Sequence, residues 1–187
     1  MSKDLIIGID AGTSVIKSIA FDLGGRQIAS AAVPNRYATG EGGAATQPLD
    51  QTWDYCTRSL RQLGERVPDM AGRVVAVAVT GQGDGTWLVD QDAKPVGDAW
   101  LWLDARAGAT AERLRQHAGD AARFARTGTG LNSCQQGAQL AHLLAHCPEQ
   151  LDQAATAFHC KDWLYLNLTG IRATDPSEGC FTFGDYK

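Results

Sequence analysis

Between Asp10 and Lys17 the chain gathers an acid, a glycine, two hydroxyls and a cation within eight residues. Each type has a use at a phosphate. Asp10 can hold a hydrated Mg²⁺, and Gly12 lets the backbone approach a ligand closely. Thr13 and Ser14 offer hydroxyls and main-chain N–H groups to phosphate oxygens, and Lys17 adds a positive charge. An ordinary hairpin turn with Lys17 as a solvated charge would use the same residue types. Their crowding behind a buried strand favours a phosphate clamp. No Gly-Lys-Thr or Gly-Lys-Ser follows at the spacing of a Walker-type loop.

A second group suits hydroxyls. In Gly81-Gln82-Gly83-Asp84-Gly85-Thr86-Trp87 the alternating glycines leave space for a small molecule. Asp84 can accept from two neighbouring hydroxyls of a sugar or polyol, with Gln82 beside it. A glycine-rich hairpin with a solvated aspartate is the plainer alternative. Farther on, Trp102, Asp104 and Arg106 alternate and share a side if the segment is extended. An indole face beside a carboxylate is a common grip on carbohydrate. Trp100 reads as core, and Arg106 as a tie to nearby carboxylates. His142 and His146 are four apart, a zinc-compatible spacing, but no third ligand is evident and a packing or solvated role is the expectation.

These groups need elements to place them. Leu5 to Ile9 is an apolar run too short for a helix and reads as a buried strand. Val15 to Asp22 and Gln27 to Val33 continue it as antiparallel strands separated by Gly24-Gly25. Residues 35–48 read as a surface loop. Leu49, Trp53, Cys56, Leu60, Leu63 and Val67 mark one face of a helix stopped by Pro68. Arg73 to Thr80 is a β-branched run that reads as an interior strand reached by a parallel crossover. Residues 107–126 read as helical with Leu114 and Phe124 inward, and residues 127–137 as a loop. Helices follow over 138–147 and 149–155, a strand over 157–160, a helix over 161–170, and a loop over 173–180.

At 187 residues and 44% hydrophobic the chain can bury the core of one domain, or part of a larger one. A net charge of −4 with no Lys/Arg cluster argues against a nucleic-acid partner. No apolar run is long enough to span a bilayer, and Met1-Ser2-Lys3-Asp4 opens without a secretory signal, so a cytoplasmic location is expected. The five scattered cysteines, with no Cys-x-x-Cys pair, read as reduced thiols.

Gly8-Ile9-Asp10-Ala11-Gly12-Thr13-Ser14, with Lys17 and then Asp22 before Gly24-Gly25, resembles the first phosphate motif of the FGGY carbohydrate kinases. Thr80-Gly81-Gln82-Gly83-Asp84 and Trp102-Leu103-Asp104-Ala105-Arg106 resemble that family's Gln-x-x and Trp-x-Asp-x-Arg motifs in order and spacing. In the family, the two residues after the glutamine and the later aspartate line the substrate site. Gly83-Asp84 differs from the Arg-Glu of glycerol-type members and the Met-His of xylulose-type members, and is most similar to the erythritol type. A Thr-Gly loop lends the family's pocket one side chain, which the resemblance places at Cys134 with Gln135 next to it; a buried small residue is an equal reading of Cys134. Lys161-Asp162-Trp163-Leu164 and Thr174-Asp175-Pro176-Ser177 resemble a further helix and loop of the family.

The resemblance implies an α/β fold of the actin-like ATPase (ribonuclease H-like) type, with three antiparallel strands, then parallel strands and flanking helices. It implies that residues 1–187 are an N-terminal actin-like domain incomplete at its C-terminus, with the second domain, the adenine pocket and the general base beyond Lys187. The implied cofactors are ATP and Mg²⁺, with Asp10 on the metal and Gly12, Thr13, Ser14 and Lys17 on the phosphates. Gln82, Gly83, Asp84, Trp102, Asp104, Cys134 and Gln135 would line the substrate site. The implied reaction is phosphoryl transfer to a terminal hydroxyl of a sugar or polyol, erythritol favoured over xylulose or glycerol. A non-catalytic sugar-binding or interaction module is the alternative of another class, and a homodimer stays open. The loops after the first and fourth strands are expected to open onto a common cavity.

Overall fold

A computed structural model describes residues 3–183. Met1, Ser2 and residues 184–187, which the sequence reading included in the domain, lie outside the described residues. In chain order the elements begin with β1 (Leu5–Ala11), β2 (Val15–Asp22), β3 (Gln27–Pro34), β4 (Ala38–Thr39) and β5 (Ala45–Gln47). Next come α1 (Leu49–Arg66), α2 (Met70–Arg73), β6 (Val74–Gly81), β7 (Trp87–Val89) and β8 (Ala99–Trp100). The rest are α3 (Gly108–Arg115), α4 (Asp120–Thr127), α5 (Gln136–His146), α6 (Pro148–Gln153), β9 (Thr156–Phe158), α7 (Cys160–Thr169) and α8 (Pro176–Phe183). The chain divides into two compact units, one running through Arg36 and including Asp50–Gln82, the other comprising Tyr37–Leu49 and the residues from Gly83 on.

In the first unit the sheet order is β3-β2-β1-β6, antiparallel between β1, β2 and β3 and parallel between β1 and β6. Strand periodicity explains the sides: Leu5, Ile7, Ile9 and Ala11 alternate into the core, joined by Ile16 and Ala20 of β2. Cys56 and Leu63 are buried on α1, and a 2.6 Å hydrogen bond between the Ser18 and Ser59 hydroxyls satisfies the two polar groups buried among them. The strand over 74–81 is parallel to β1 as expected, but it is not interior. Among the described residues β6 pairs with β1 alone, and Val75 and Val77 are about half exposed, 52% and 48%. A β-branched run reports a pleated surface that favours strand, and cannot by itself report how many neighbours that strand has.

In the second unit β4, β5 and β8 form one small sheet, and β7 and β9 another. Leu88, Val96, Trp100 and Leu143 make one core cluster, and Ala107, Ala111 and Ala138 let α3 and α5 pack closely. Three sequence readings are corrected here. Residues 35–48 are not an unstructured loop, because β5 pairs with β8 and buries Ala45 and Gln47. Residues 107–126 form two helices, α3 and α4, separated by a turn in which His117 Nδ1 accepts from the Gly119 N–H at 3.1 Å; Phe124 is exposed rather than inward. The segment after Asp175 is the helix α8, opened by Pro176 at its first position. Among the described residues no helix is long and apolar enough to cross a membrane.

Candidate functional site

The β1–β2 turn holds the first group. Asp10 is the exposed penultimate residue of β1, opposite Lys17 on β2 and beside Thr80 on β6, so all three share one face of the sheet. That face carries a shallow cavity of about 230 Å³ lined by Gly8, Asp10, Ile19, Ala78 and Thr80 among others. At Gly12 a Cβ would lie 3.0 Å from the Val15 carbonyl oxygen, a close approach that favours glycine in this tight turn. The turn is braced from both sides. Asn35 donates from Nδ2 to the Gly12 carbonyl at 2.9 Å, and its backbone N–H to Ser14 O, also at 2.9 Å. Gln82 donates its backbone N–H to Ala11 O at 3.0 Å and accepts from the Thr13 hydroxyl at 3.2 Å through Oε1. Gln82, expected at the substrate, is thus tied to the phosphate-type turn, while Ser14 remains exposed.

The second group lies in the other unit. Gly85 is at φ +81, and a Cβ there would meet Trp100 O at 2.5 Å, so this turn is closed to other residues. Asp84 just before it has φ +55, a left-handed conformation that aspartate tolerates at modest cost. Asp84 Oδ2 accepts from the Cys134 thiol at 3.4 Å, and Oδ1 is buried with no hydrogen-bond partner. Burial, and then the adjacent Asp84 charge, push the Cys134 thiol up to about 11, which keeps it a protonated donor at neutral pH. Cys134, left between two readings by the sequence, therefore lies against Asp84. Gln135 is buried and braces its own loop, donating to the Thr129 hydroxyl at 3.0 Å and accepting from the Asn132 N–H at 3.1 Å.

Trp102 and Asp104 do not share a side. The strand ends at Trp100 and the chain turns through an Asp104 N–H to Leu101 O bond of 3.0 Å, leaving Trp102 exposed and Asp104 buried. The Asp104 carboxylate accepts from Arg106 Nη2 at 2.6 Å and from the Ala45 N–H at 2.9 Å. Arg106 also lies 3.4 Å from the Trp100 ring centroid, the tie and the core tryptophan anticipated from sequence.

Lys161 bridges Asp162 at 2.8 Å and Asp175 at 3.1 Å. Burial would raise the Asp175 carboxyl, but the Ser177 hydroxyl and the Lys161 ammonium outweigh it and hold it at about 2. The His142 and His146 rings stack at 4.3 Å; burial, then the second ring, lowers His142. Among the described residues no group of three or more His, Cys, Asp or Glu side chains is placed to hold a metal ion.

Sequence reasoning missed Asn35, His159 and Glu178. Asn35 follows Pro34 and carried only a turn signal. Glu178 reaches the Asp84 backbone N–H at 3.1 Å from 94 residues away, a contact no local pattern can report.

Residues 5–182 match the family described as "FGGY family of carbohydrate kinases, N-terminal domain". The chain is 65% identical over 184 residues to the "Erythritol kinase" of Brucella abortus (strain 2308), a match covering 98% of this chain and 35% of the relative. It is 31% identical over 170 residues to the "Glycerol kinase" of Trichlorobacter lovleyi, covering 88% of this chain and 34% of that protein. Its fold superposes on the crystal structure of xylulose kinase from Rhodospirillum rubrum with a TM-score of 0.89 at 26% identity, covering 96% of this chain and 37% of that one. The chain thus spans about a third of the length of the curated relatives it matches.

Proposed function

Since this chain belongs to the FGGY family of carbohydrate kinases, we infer that it supplies a larger enzyme with the phosphate-holding turn and part of the substrate pocket for phosphoryl transfer. The ATP γ-phosphate would pass to a terminal hydroxyl of a polyol, with erythritol the favoured substrate. The observation that carries this reading is Asp84: a buried carboxylate oxygen without a partner, on a turn closed to larger residues, is a place for a ligand hydroxyl. The 65% identity to a protein named erythritol kinase supports the choice of polyol.

The residues fit the nucleotide. An exposed carboxylate at Asp10 beside the Thr80 hydroxyl suits Mg²⁺, which prefers oxygen ligands and keeps several waters. Bound MgATP supplies the phosphoryl group and neutralises charge on it. On this chain's side, Gly12, Thr13 and Ser14 present amides and hydroxyls to the phosphates, with the turn held by Asn35 and Gln82 so that it need not reorganise. Lys17, paired across from Asp10, adds positive charge on the same face. Asp84 accepts from a polyol hydroxyl, Cys134 holds the other Asp84 oxygen, and Trp102 offers an exposed indole. Asp104 contributes indirectly by fixing Arg106 and β5.

The test is ADP release by the complete gene product with erythritol, glycerol, xylulose and ribulose in turn. The expected result is the highest kcat/KM with erythritol. Polyol binding without any substrate-dependent ADP release would instead favour a non-catalytic sugar-binding module.

A further inference from the structure

Glu178, on α8, neighbours two residues that each carry an unpartnered buried polar atom. Its Oε2 accepts from the Asp84 N–H at 3.1 Å and lies 3.7 Å from His159 Nε2. His159 is only 2% exposed, and its Nε2 has no hydrogen-bond partner, as is also true of Asp84 Oδ1. The opposite side of the imidazole is engaged by Asp162, whose Oδ2 lies 3.4 Å from Nδ1 and accepts the His159 backbone N–H at 3.0 Å. The ring is thereby fixed with its free nitrogen towards Glu178. A buried nitrogen and a buried carboxylate oxygen left open on two residues that both neighbour Glu178 are costly unless a ligand completes them.

The chemistry of that ligand follows from the groups. Two carboxylates repel an anion, and among the described residues no cluster is arranged to hold a metal ion. A hydroxyl both donates and accepts, so one can donate to an open carboxylate oxygen while accepting from a protonated His159 Nε2, and a neighbouring hydroxyl of the same polyol can serve the second carboxylate. Gly83 belongs to the same arrangement: a Cβ there would lie 3.0 Å from Glu178 Oε1, so a side chain at 83 presses on the glutamate carboxylate.

We propose that Glu178, backed by His159 and given room by Gly83, contacts the polyol and with Asp84 determines which polyol is accepted. This rests on the kinase reading above and names a residue of the same site. The experiment compares the complete gene product with its Glu178→Gln, Glu178→Asp and Gly83→Ala variants, measuring KM for erythritol, KM for ATP, kcat and Tm. Glu178→Gln keeps an acceptor for the Asp84 N–H, so the turn is retained. The expected result is a rise of about tenfold or more in KM for erythritol, with kcat, KM for ATP and Tm little changed. Gly83→Ala, which presses on the Glu178 carboxylate, should raise the same KM more modestly, and Glu178→Asp, which withdraws the carboxylate by one methylene, decides the matter if Glu178→Gln does not fold. An unchanged KM for erythritol in the folded variants, or a loss confined to Tm, overturns the role of Glu178 while leaving the kinase reading intact. If the unsubstituted protein phosphorylates no polyol, the kinase reading fails and this inference falls with it.

Discussion

Asp10 and Asp84 are both aspartates at turns, yet their surroundings give them different work. Asp10 is exposed beside Lys17 and Thr80, a position suited to a hydrated cation. Asp84 is partly buried, with one oxygen on a thiol and the other open, a position suited to a neutral hydroxyl. Asp10→Asn in the complete gene product should therefore lower kcat by about a hundredfold or more while leaving KM for erythritol nearly unchanged. Steady-state kinetics with both substrates varied checks this, and an unaltered kcat would remove Asp10 from the metal. At this scale the sequence was most informative where the chemistry is contiguous, as from Asp10 to Lys17. It was silent where partners come from afar: Cys134 meets Asp84 across 50 residues and Glu178 meets it across 94. The Arg106–Asp104 pair, buried on the aspartate side, was half legible, since the arginine's role as a tie was read but the use of Ala45's N–H was not.

Among the elements, long periodic segments announced themselves. The three opening strands, α1 and β6 lie where alternation and the 3.6-residue period put them. Short elements did not: β5 owes its existence to β8, and the Ala- and Arg-rich stretch over 107–126 favours helix so evenly that the break at 116–119 leaves little trace. The start of α8, taken from sequence as part of a loop, does carry a signal in Asp175-Pro176-Ser177-Glu178, an acid ahead of a proline at the first helical position. Asp175 Oδ1 accepts from the backbone N–H groups of Ser177 at 2.8 Å and Glu178 at 3.3 Å, and Oδ2 pairs with Lys161 at 3.1 Å. Because folding lowers this carboxyl from 3.8 to about 2, its contribution is fully present above pH 3.8 and is lost as the pH falls towards 2. Asp175→Asn should thus lower Tm at pH 6, and the gap to the unsubstituted protein should close between about pH 4 and pH 2. Thermal unfolding followed by circular dichroism across that range is the check; a gap independent of pH would show that the charge contributes nothing.

For the whole molecule, strand order was the most legible property: a meander of three antiparallel strands followed by a helix and a parallel strand leaves few topologies open. The division into two compact units was not, because it depends on residues 37–49 leaving one unit to join the other. The half-exposed Val75 and Val77 on β6 were equally hidden, since neighbours of a strand are a tertiary property. The chain covers 35% of the Brucella abortus relative. The most direct measurement is product analysis by phosphorus NMR and mass spectrometry after incubation with ATP, Mg²⁺ and erythritol, run side by side on the complete gene product and on residues 1–187 alone. The expected product is an erythritol monophosphate ester from the complete protein and none from residues 1–187; absence of the ester with the folded complete protein, or its robust formation by residues 1–187, would overturn the reading of this chain as part of a larger kinase.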